Sequence, residues 1–317
     1  MRRIVDMNVL ITGCAGFIGS HATDLFLKNG YNVVGVDALT YAANIDNMRG
    51  AIKNSNFVFY EEDICNTEKM KQYCTDHEVE WIVNFAAETH VDNSITSDAE
   101  FVRTNVEGVR SLLECCVKTN SKFLQISTDE VYGSINSGSF VESDSLDPGN
   151  PYSATKAAAE HLVTAYGNTF NLQYGIVRMS NNFGPRQHSE KLMPKVFQCL
   201  REGKKIPVYG DGKNIRDWFY VKDCAKFIEK IVSSNPVNET YNITNEHEIQ
   251  NIEVIKQACK IAGKEFEDSI SFVPDRLGHD FRYSISSSKF KTKFKDFESR
   301  TDFNQALTDT MNFYNLE

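Results

Sequence analysis

The stretch Asn8-Val9-Leu10-Ile11-Thr12 runs directly into glycines at positions 13, 16 and 19, and this order decides the fold. The first five residues have the apolar composition of a short buried strand, and the residues that follow the glycines show the periodicity of a helix. Glycines at this spacing let the backbone approach a pyrophosphate, whose charge is met by free N–H groups at the amino end of the helix. The stretch therefore predicts a dinucleotide-binding strand, turn and helix.

A second predicted strand, at residues 33–36, ends in Asp37. A carboxylate at this position accepts hydrogen bonds from the hydroxyls of the adenosine ribose and repels a 2′-phosphate. The sequence therefore predicts NAD as the cofactor in preference to NADP.

Apolar runs typical of strands alternate with helical patterns through about residue 180, which predicts a Rossmann-type, doubly wound parallel sheet in an α/β fold. The predicted strands lie near 8–12, 32–36, 56–60, 80–85, 122–127 and 174–179, and the longest predicted helices at 98–118 and 151–170. Beyond residue 185 the pattern loosens into helices at 191–201, 222–233, 251–262 and 303–315, with a glycine-rich loop at 210–216. We therefore expect an NAD-binding domain at 1–180 and a smaller, mixed α/β substrate-binding region at 181–317, with some segments interleaved.

Composition restricts the possible partners. The chain has 317 residues, is 41% hydrophobic and carries a formal net charge of −9, so a nucleic acid or an acidic membrane surface is an unsuitable partner. The eight cysteines have no spacing typical of a metal site, which predicts reduced core residues and no metal. No apolar run is long enough to span a membrane, and we expect a cytoplasmic protein.

Tyr152 and Lys156 lie four residues apart in a predicted helix, so they share one face. Pro151 suits the first position of that helix, where its missing N–H leaves no hydrogen bond unmade. A lysine ammonium beside a tyrosine hydroxyl favours the phenolate, and this pair therefore predicts a base that acts near neutral pH.

Several further motifs accompany this pair. They are residues 12–19, 37–41, 63–64, 86–92, 127–133, 151–156, 178–185, 211–218 and 275–280. With these motifs the chain resembles the extended short-chain dehydrogenase/reductase family, and within it the nucleotide-sugar 4,6-dehydratases, over nearly its whole length.

The resemblance implies a catalytic set of Thr128, Asp129, Glu130, Tyr152 and Lys156, with Thr128 in place of the family's usual serine. Loss of water across C5 and C6 of a hexose needs an acidic C5 proton, so C4 must first be oxidised to a ketone with NAD as hydride acceptor. We then expect Glu130 to remove the C5 proton and Asp129 to protonate the departing C6 hydroxyl. Asp129 must therefore be protonated, and Glu130 ionised, at neutral pH.

The resemblance also implies the ligand-binding residues. For the NAD cofactor these are Gly13, Gly16, Phe17, Ile18, Gly19, Asp37, Asp63, Ile64, Ala86, Tyr152 and Lys156. For a nucleotide-diphosphate hexose substrate they are Thr89, Asn181, Glu190, Lys191, Tyr209, Arg216, Arg276 and His279. Arginine forks suit the diphosphate, since the net charge of the chain supplies no general attraction for an anion. The resemblance further implies that Asn105, on the long helix, supports the active-site network.

Two alternatives stay open. A nucleotide-sugar 4-epimerase of the same family shares the glycines, Asp37, Tyr152 and Lys156 but has no use for an acid and a base at Asp129 and Glu130. A catalytically silent NAD-binding regulator usually lacks the tyrosine or the lysine. Two dehydratase substrates, dTDP-glucose and UDP-glucose, are both kept as candidates. The nucleotide base is recognised by loops and not by the catalytic residues.

We expect a homodimer. The helices predicted at 98–118 and 151–170 carry more apolar side chains than one sheet contact buries, among them Val109 and Leu162. In the resembled family this helix pair forms a four-helix interface across a two-fold axis. The alternative is that these apolar faces pack only on the sheet of their own chain.

Overall fold

A computed structural model describes residues 7–235, 237–275 and 280–316. Its centre is a seven-stranded sheet in which every neighbouring pair of strands is parallel. The strands stand in the order β10-β6-β5-β4-β1-β2-β3. They are β1 (Asn8–Thr12), β2 (Asn32–Asp37), β3 (Phe57–Glu61), β4 (Trp81–Asn84), β5 (Lys122–Thr128), β6 (Tyr174–Met179) and β10 (Glu239–Ile243). The predicted Rossmann-type fold is confirmed, and the six strands expected from the sequence lie where they were predicted.

Helices cover both faces of this sheet because successive side chains of each strand point to opposite faces. In β1, Val9 and Ile11 pack into one core layer and Leu10 into the other. The first layer is covered by α1 (Phe17–Lys28), α8 (Val221–Ser233) and α11 (Ser288–Lys293). The second is covered by α2 (Thr67–Asp76), α5 (Val109–Thr119) and α6 (Pro151–Phe170). The carboxyl ends of the strands are left open for a ligand.

The long helix predicted at 98–118 consists of three joined parts. A four-residue helix α4 (Ala99–Val102) leads into a π-helical stretch at Arg103–Gly108, which continues as α5. Short π-helical stretches in α-helices frequently occur at functional sites. The second long helix, α6, has the predicted bounds.

The carboxyl-terminal part contains two small sheets and a core of its own. One sheet has the order β11-β9-β7 and the other pairs β12 with β8. Their strands are β7 (Asn181–Phe183), β8 (Ile206–Tyr209), β9 (Ile215–Tyr220), β11 (Glu248–Gln250) and β12 (Ile270–Val273). The helices here are α7 (Leu192–Glu202), α9 (Asn251–Ile261), α10 (Phe266–Ser269) and α12 (Phe303–Leu316). A short α3 (Val91–Thr96) and 3-10 helices at Ile45–Met48, Ala51–Lys53 and Asp129–Tyr132 complete the described helices.

The loop predicted at 210–216 ends earlier than expected. Arg216 lies inside β9, where it pairs with Ile249, so the loop ends before this arginine. The chain also returns to the large sheet after residue 220, because α8 packs against α1 and β10 pairs with β6. The division into domains at residue 180 stays a prediction.

The described helices include none that is both long and apolar enough to cross a membrane.

Candidate active site

Two adjoining cavities open at the carboxyl ends of the sheet strands, with volumes of about 380 Å³ and about 390 Å³. The first is lined by every predicted cofactor-binding residue, namely Gly13, Gly16, Phe17, Ile18, Gly19, Asp37, Asp63, Ile64, Ala86, Tyr152 and Lys156. Five residues line both cavities, namely Val91, Glu130, Asn181, Glu190 and Lys191. A reaction between two ligands held in these cavities would therefore take place beside these five residues.

The glycine turn after β1 fits a dinucleotide diphosphate. Gly13 has φ +66°, and a Cβ there would lie 2.8 Å from the backbone nitrogen of Ala86. A Cβ on Gly19 would lie 2.1 Å from the carbonyl oxygen of Gly13. Both positions therefore require glycine, and α1 begins directly after Gly16 with its N–H groups at the cavity.

Asp37 ends β2 at the same cavity. Its carboxylate accepts hydrogen bonds from the backbone N–H groups of Ala15 and Leu39, both at 2.9 Å. Burial raises the pKa of Asp37, and these two N–H groups oppose that rise. Each carboxylate oxygen can accept a second hydrogen bond, so the residues present fit a ribose diol. Asp63, also at this cavity, is paired with Arg103 at 2.5 Å.

Thr128 ends β5, and Asp129 and Glu130 begin a short 3-10 helix there. The Thr128 hydroxyl accepts a hydrogen bond from the Glu130 N–H and donates one to Asp129 Oδ1, both at 3.2 Å. Asp129 is 3% exposed, and its Oδ2 has no hydrogen-bond partner among the described residues. An unpartnered buried oxygen at a cavity wall is suited to a substrate hydroxyl.

The two carboxyl groups differ in their surroundings. Burial raises the pKa of Asp129 to about 8, and Glu130 and Asp217 add to the rise while Arg216 opposes it. Burial also raises the pKa of Glu130, but Asn150, Arg216 and Lys191 oppose that rise. The amide of Asn150 donates to Glu130 Oε2 at 3.4 Å. Asp129 is therefore suited to carry the proton that a general acid donates, whereas these groups around Glu130 favour its ionised form, which can act as a base.

Asp217 lies in β9 and contributes to the rise in the pKa of Asp129. Its carboxylate accepts hydrogen bonds from the Ser180 hydroxyl at 3.2 Å, from the Thr244 hydroxyl and from the His247 N–H at 3.1 Å. These three donors hold a buried acceptor whose negative charge favours the protonated form of Asp129.

Tyr152 and Lys156 lie in the first two turns of α6, both buried, and both line the first cavity. The helix begins with a capping box between Asn150 and Ser153. Lys156 Nζ donates to the carbonyl oxygen of Ile126 at 2.7 Å. Burial lowers the pKa of Lys156 to about 8, with Glu160 opposing.

The expected effect of Lys156 on Tyr152 is not found. Burial raises the pKa of Tyr152 above its usual value, Glu130 and Asp129 add to the rise, and Thr128 opposes it. The i to i+4 spacing correctly predicts a shared face, but the lysine is directed to a strand carbonyl and the nearby acids disfavour the phenolate. A cationic ligand in the cavity would instead lower the pKa of Tyr152 and favour its phenolate.

Asn105 holds α6 against the loop after β4. Its amide nitrogen donates to the Glu88 carbonyl oxygen and to Thr155 Oγ1, both at 3.0 Å, and its Oδ1 accepts from the Glu88 N–H at 2.9 Å. Asn105 lies in the π-helical stretch between α4 and α5. The structure therefore gives this residue a network role beside Tyr152 and Lys156, as expected.

The predicted substrate residues are divided between the cavities. Thr89 lines the first cavity, and its carbonyl oxygen accepts from Lys191 Nζ at 3.3 Å. Tyr209 and Arg216 line the second cavity. Arg276 and His279 lie outside the described residues.

Arg216 is 8% exposed, and the ring of Tyr283 lies 4.6 Å from its guanidinium carbon. Its Nη1 donates to the carbonyl oxygens of Ile215 at 2.7 Å and Phe281 at 3.2 Å, and its Nη2 donates to that of Asp280 at 2.9 Å. Within the described residues these bonds use three of five N–H donors, which leaves two for an anion in the second cavity.

Sequence reasoning missed several residues at this second cavity. Asn150, Asn251, Trp218 and Tyr283 all line it. Asn251 Oδ1 and Trp218 Nε1 are buried without a hydrogen-bond partner among the described residues, which is expected of groups that bind a ligand. The sequence did contain a signal for the position of Asn150, since an asparagine directly before Pro151 is a typical helix N-cap.

A group of three or more His, Cys, Asp or Glu side chains arranged to hold a metal ion does not occur in the described part of the chain.

Comparison with known proteins agrees with this geometry. Residues 10–310 match the family described as GDP-mannose 4,6 dehydratase. The chain is 46% identical to the low-salt glycan biosynthesis protein Agl12 of Haloferax volcanii, over 97% of this chain and 98% of that protein. It is 38% identical to a dTDP-glucose 4,6-dehydratase of Xanthomonas campestris, over 96% and 92% of the two chains.

The fold is similar to that of a solved dehydratase. DesIV, a dTDP-glucose 4,6-dehydratase from Streptomyces venezuelae crystallised with NAD and TYD bound, superimposes with a TM-score of 0.94. The two chains are 36% identical, and the alignment covers 98% of this chain and 97% of DesIV.

Proposed function

This chain belongs to the GDP-mannose 4,6 dehydratase family, and from that premise we propose that it converts dTDP-glucose or UDP-glucose to the 4-keto-6-deoxy sugar nucleotide and water. One observation carries the proposal. Asp129 and Glu130 lie beside Tyr152 at the first cavity, Glu130 also lines the second, and the pKa of buried Asp129 is raised to about 8. A 4-epimerase has no use for such an acid and base, and a silent regulator has no use for the complete catalytic set.

NAD is the proposed cofactor in the first cavity, held by the glycine turn and Asp37. When bound, NAD supplies a hydride acceptor for C4 and returns the same hydride at C6. Lys156 has donors beyond its bond to Ile126 with which to bind the nicotinamide ribose.

Tyr152 begins the reaction by taking the proton of the C4 hydroxyl, and Thr128 binds the same oxygen. Oxidation at C4 makes the C5 proton acidic. Glu130 removes the C5 proton, and Asp129 protonates the departing C6 hydroxyl, which leaves as water. Glu130 then returns its proton to C5.

Over one turnover Tyr152 gains a proton and Asp129 loses one. The Thr128 hydroxyl, which donates to Asp129 at 3.2 Å, offers a route for returning that proton. This route closes the cycle with no net change in the protein.

The second cavity is the proposed site of the nucleotide diphosphate. Arg216 binds the phosphates, and Tyr209 packs near the pyrimidine. Glu190, Lys191, Thr89 and Asn181 contact the hexose at the junction, and Arg276 and His279 complete the proposed set. The proposal covers either nucleotide base, thymine or uracil.

The raised pKa of Asp129 predicts a pH dependence of elimination. Asp129 acts as an acid while protonated, so the rate should fall as pH rises through about 8. Stopped-flow decay of reduced cofactor in a single turnover measures this step. Asp217→Asn removes a negative charge that raises the pKa of Asp129, so the fall should move to lower pH. A rate that is unchanged up to strongly alkaline pH would contradict the role of Asp129.

Asp37 predicts selectivity between the dinucleotides. Its buried carboxylate should accept hydrogen bonds from the ribose hydroxyls of NAD and repel the 2′-phosphate of NADP. Isothermal calorimetry should therefore show tighter binding of NAD, by about 10-fold or more. Equal affinities would count against this assignment. Because the cofactor is regenerated in each turnover, the purified enzyme should also need little added NAD.

We further propose a homodimer formed through α4, α5 and α6. Four apolar residues of these helices, Val109, Leu112, Leu113 and Val163, are buried in the core of their own chain, so Val109, on which the expectation rested, is not available for an interface. The remaining side chains form a partly exposed apolar patch of Val102, Val106, Ala158, Leu162 and Ala165. These helices are neighbours, so the patch offers one continuous face to a second copy.

Light scattering at micromolar concentration tests the dimer. Leu162→Asp should divide it into monomers, whereas a charge at Val109 would disrupt the core instead. Ile52→Asp, at an exposed position outside the patch, is the matched control and should leave the dimer intact. A wild-type mass near the monomer value of 35.9 kDa would contradict the proposal.

A cytoplasmic location is also proposed. All eight cysteines are free thiols and most are buried, which suits a reducing compartment. Thiol titration of unfolded protein isolated without reductant should therefore find eight free groups per chain.

A product assay tests the proposed reaction. Incubation with dTDP-glucose and with UDP-glucose should give, from at least one of them, a 4-keto-6-deoxy sugar nucleotide detectable by mass spectrometry and NMR. The same assay ranks the two bases by rate. Recovery of only a C4 epimer, or of unchanged substrate from both, would overturn the assignment.

A further inference from the structure

Three polar side chains form a row through the centre of the large sheet. Thr12, Asn84 and Gln125 are each 0% exposed and stand on the neighbouring strands β1, β4 and β5. Thr12 is paired with Asn84, and Asn84 with Gln125, in the strand register. The three side chains therefore lie side by side at one level of the sheet.

Hydrogen bonds join this row from end to end. Thr12 Oγ1 donates to Asn84 Oδ1 at 2.6 Å, and Asn84 Nδ2 donates to Gln125 Oε1 at 3.0 Å. Gln125 Nε2 donates to the carbonyl oxygen of Ile126 at 2.9 Å. The Thr12 hydroxyl also accepts from the N–H of Ala86 at 3.2 Å.

Packing alone does not explain such a row. The strand neighbours Val83 and Leu124 are apolar and fully buried, as expected at the centre of a parallel sheet. A buried amide is destabilising unless its partners are all present, and an apolar side chain of similar volume avoids that requirement. The row is therefore better explained by what its ends contact.

Both ends of the row lie at the cofactor cavity. Ala86 lines that cavity beside the glycine turn. At the other end, the Ile126 carbonyl oxygen accepts a second hydrogen bond, from Lys156 Nζ at 2.7 Å. The last amide of the row and the lysine ammonium therefore share one acceptor.

We propose that Gln125 and Asn84 are positioning residues for Lys156, acting through the carbonyl oxygen of Ile126. Gln125 fixes the orientation of this peptide group, and Asn84 fixes the amide of Gln125. The shared carbonyl sets where the remaining donors of Lys156 point in the cavity. This inference rests on the proposed function, in which Lys156 binds the cofactor ribose beside Tyr152.

The test measures the first half-reaction, in which C4 is oxidised, as the appearance of reduced cofactor in a Glu130→Gln background. The variants are Gln125→Met and the apolar pair Asn84→Leu/Gln125→Met, which leaves no amide of the row unpaired. At saturating substrate each should lower the rate by about 10-fold, because small displacements of a catalytic group have large effects. NAD affinity and melting temperature are measured alongside. Ser121→Ala removes a buried hydrogen bond at the amino end of β5 and should leave the rate unchanged.

A double-mutant cycle separates positioning from loosening of the fold. If Gln125 acts through Lys156, Gln125→Met should have less than about a 2-fold effect when Lys156→Met is also present. An equal loss in both backgrounds would overturn the proposal, and so would an unchanged rate in a folded Gln125→Met protein. If Gln125→Met alone fails to fold, the apolar pair carries the same cycle. Failure of the proposed function would look different, since the Glu130→Gln protein with its row intact would then form no reduced cofactor.

Discussion

Replacement of Glu130 by glutamine should stop the reaction half-way. The amide keeps the size of the side chain and can keep a contact with Asn150, but it cannot accept the C5 proton. Oxidation at C4 does not use this group, so hydride transfer should proceed and reduced cofactor should accumulate to about one equivalent per site. Turnover should fall by about 10²- to 10⁴-fold, the usual contribution of a positioned base.

Absorbance of the reduced cofactor, followed with product formation by mass spectrometry, measures both effects together. Glu253→Gln is the matched control, because Glu253 is a half-exposed partner of Lys256 on α9 and the change should not alter either measurement. Normal turnover in Glu130→Gln would show that another group removes the C5 proton.

Replacement of Tyr152 by phenylalanine should block the reaction one step earlier. The ring that packs edge-on against Phe101 at 6.5 Å is retained, and only the hydroxyl is lost. Without it no group takes the proton of the C4 hydroxyl, so the rate of cofactor reduction should fall by about 10²- to 10⁴-fold.

The pair of variants also gives an order of events. Tyr152→Phe combined with Glu130→Gln should form no reduced cofactor, although Glu130→Gln alone does. Tyr60→Phe, on a tyrosine stacked against Tyr73 away from the cavities, controls for the loss of a phenol. A burst of reduced cofactor in Tyr152→Phe would refute its assignment as the first base.

Much of the fold is determined by local sequence patterns and could therefore be predicted. The strand, glycine turn and helix at residues 8–28 depend on apolar pattern and on glycines that the backbone geometry requires. The seventh strand, β10, was not predicted, because three of its five residues are polar and its partner β6 is more than 60 positions earlier. Arg216 was assigned to the end of a loop because the glycines before it mark a turn, whereas its pairing with Ile249 depends on tertiary structure.

In the active site, too, the features set by local sequence could be predicted and the tertiary contacts could not. The spacing of Tyr152 and Lys156 gives their shared helix face, and the position of Asp129 and Glu130 after a strand places them at the sheet edge. The contacts of these residues depend on strand register and burial, which the sequence does not display. The bond from Lys156 to Ile126, the row behind it and the effect of Asp217 on Asp129 all join residues distant in the chain. The expectation that Lys156 lowers the pKa of Tyr152 finds no support in the protein without ligands, since burial raises that pKa and Glu130 and Asp129 add to the rise.

The central claim is that one active site oxidises C4, eliminates water and returns the hydride to C6. Substrate that carries deuterium at C4 tests this directly, with NMR of the product in ordinary water. The account predicts that the deuterium is recovered at C6 of the 4-keto-6-deoxy sugar, without loss to solvent. Recovery of the label at C4 of an epimer, or its release into water, would contradict the account.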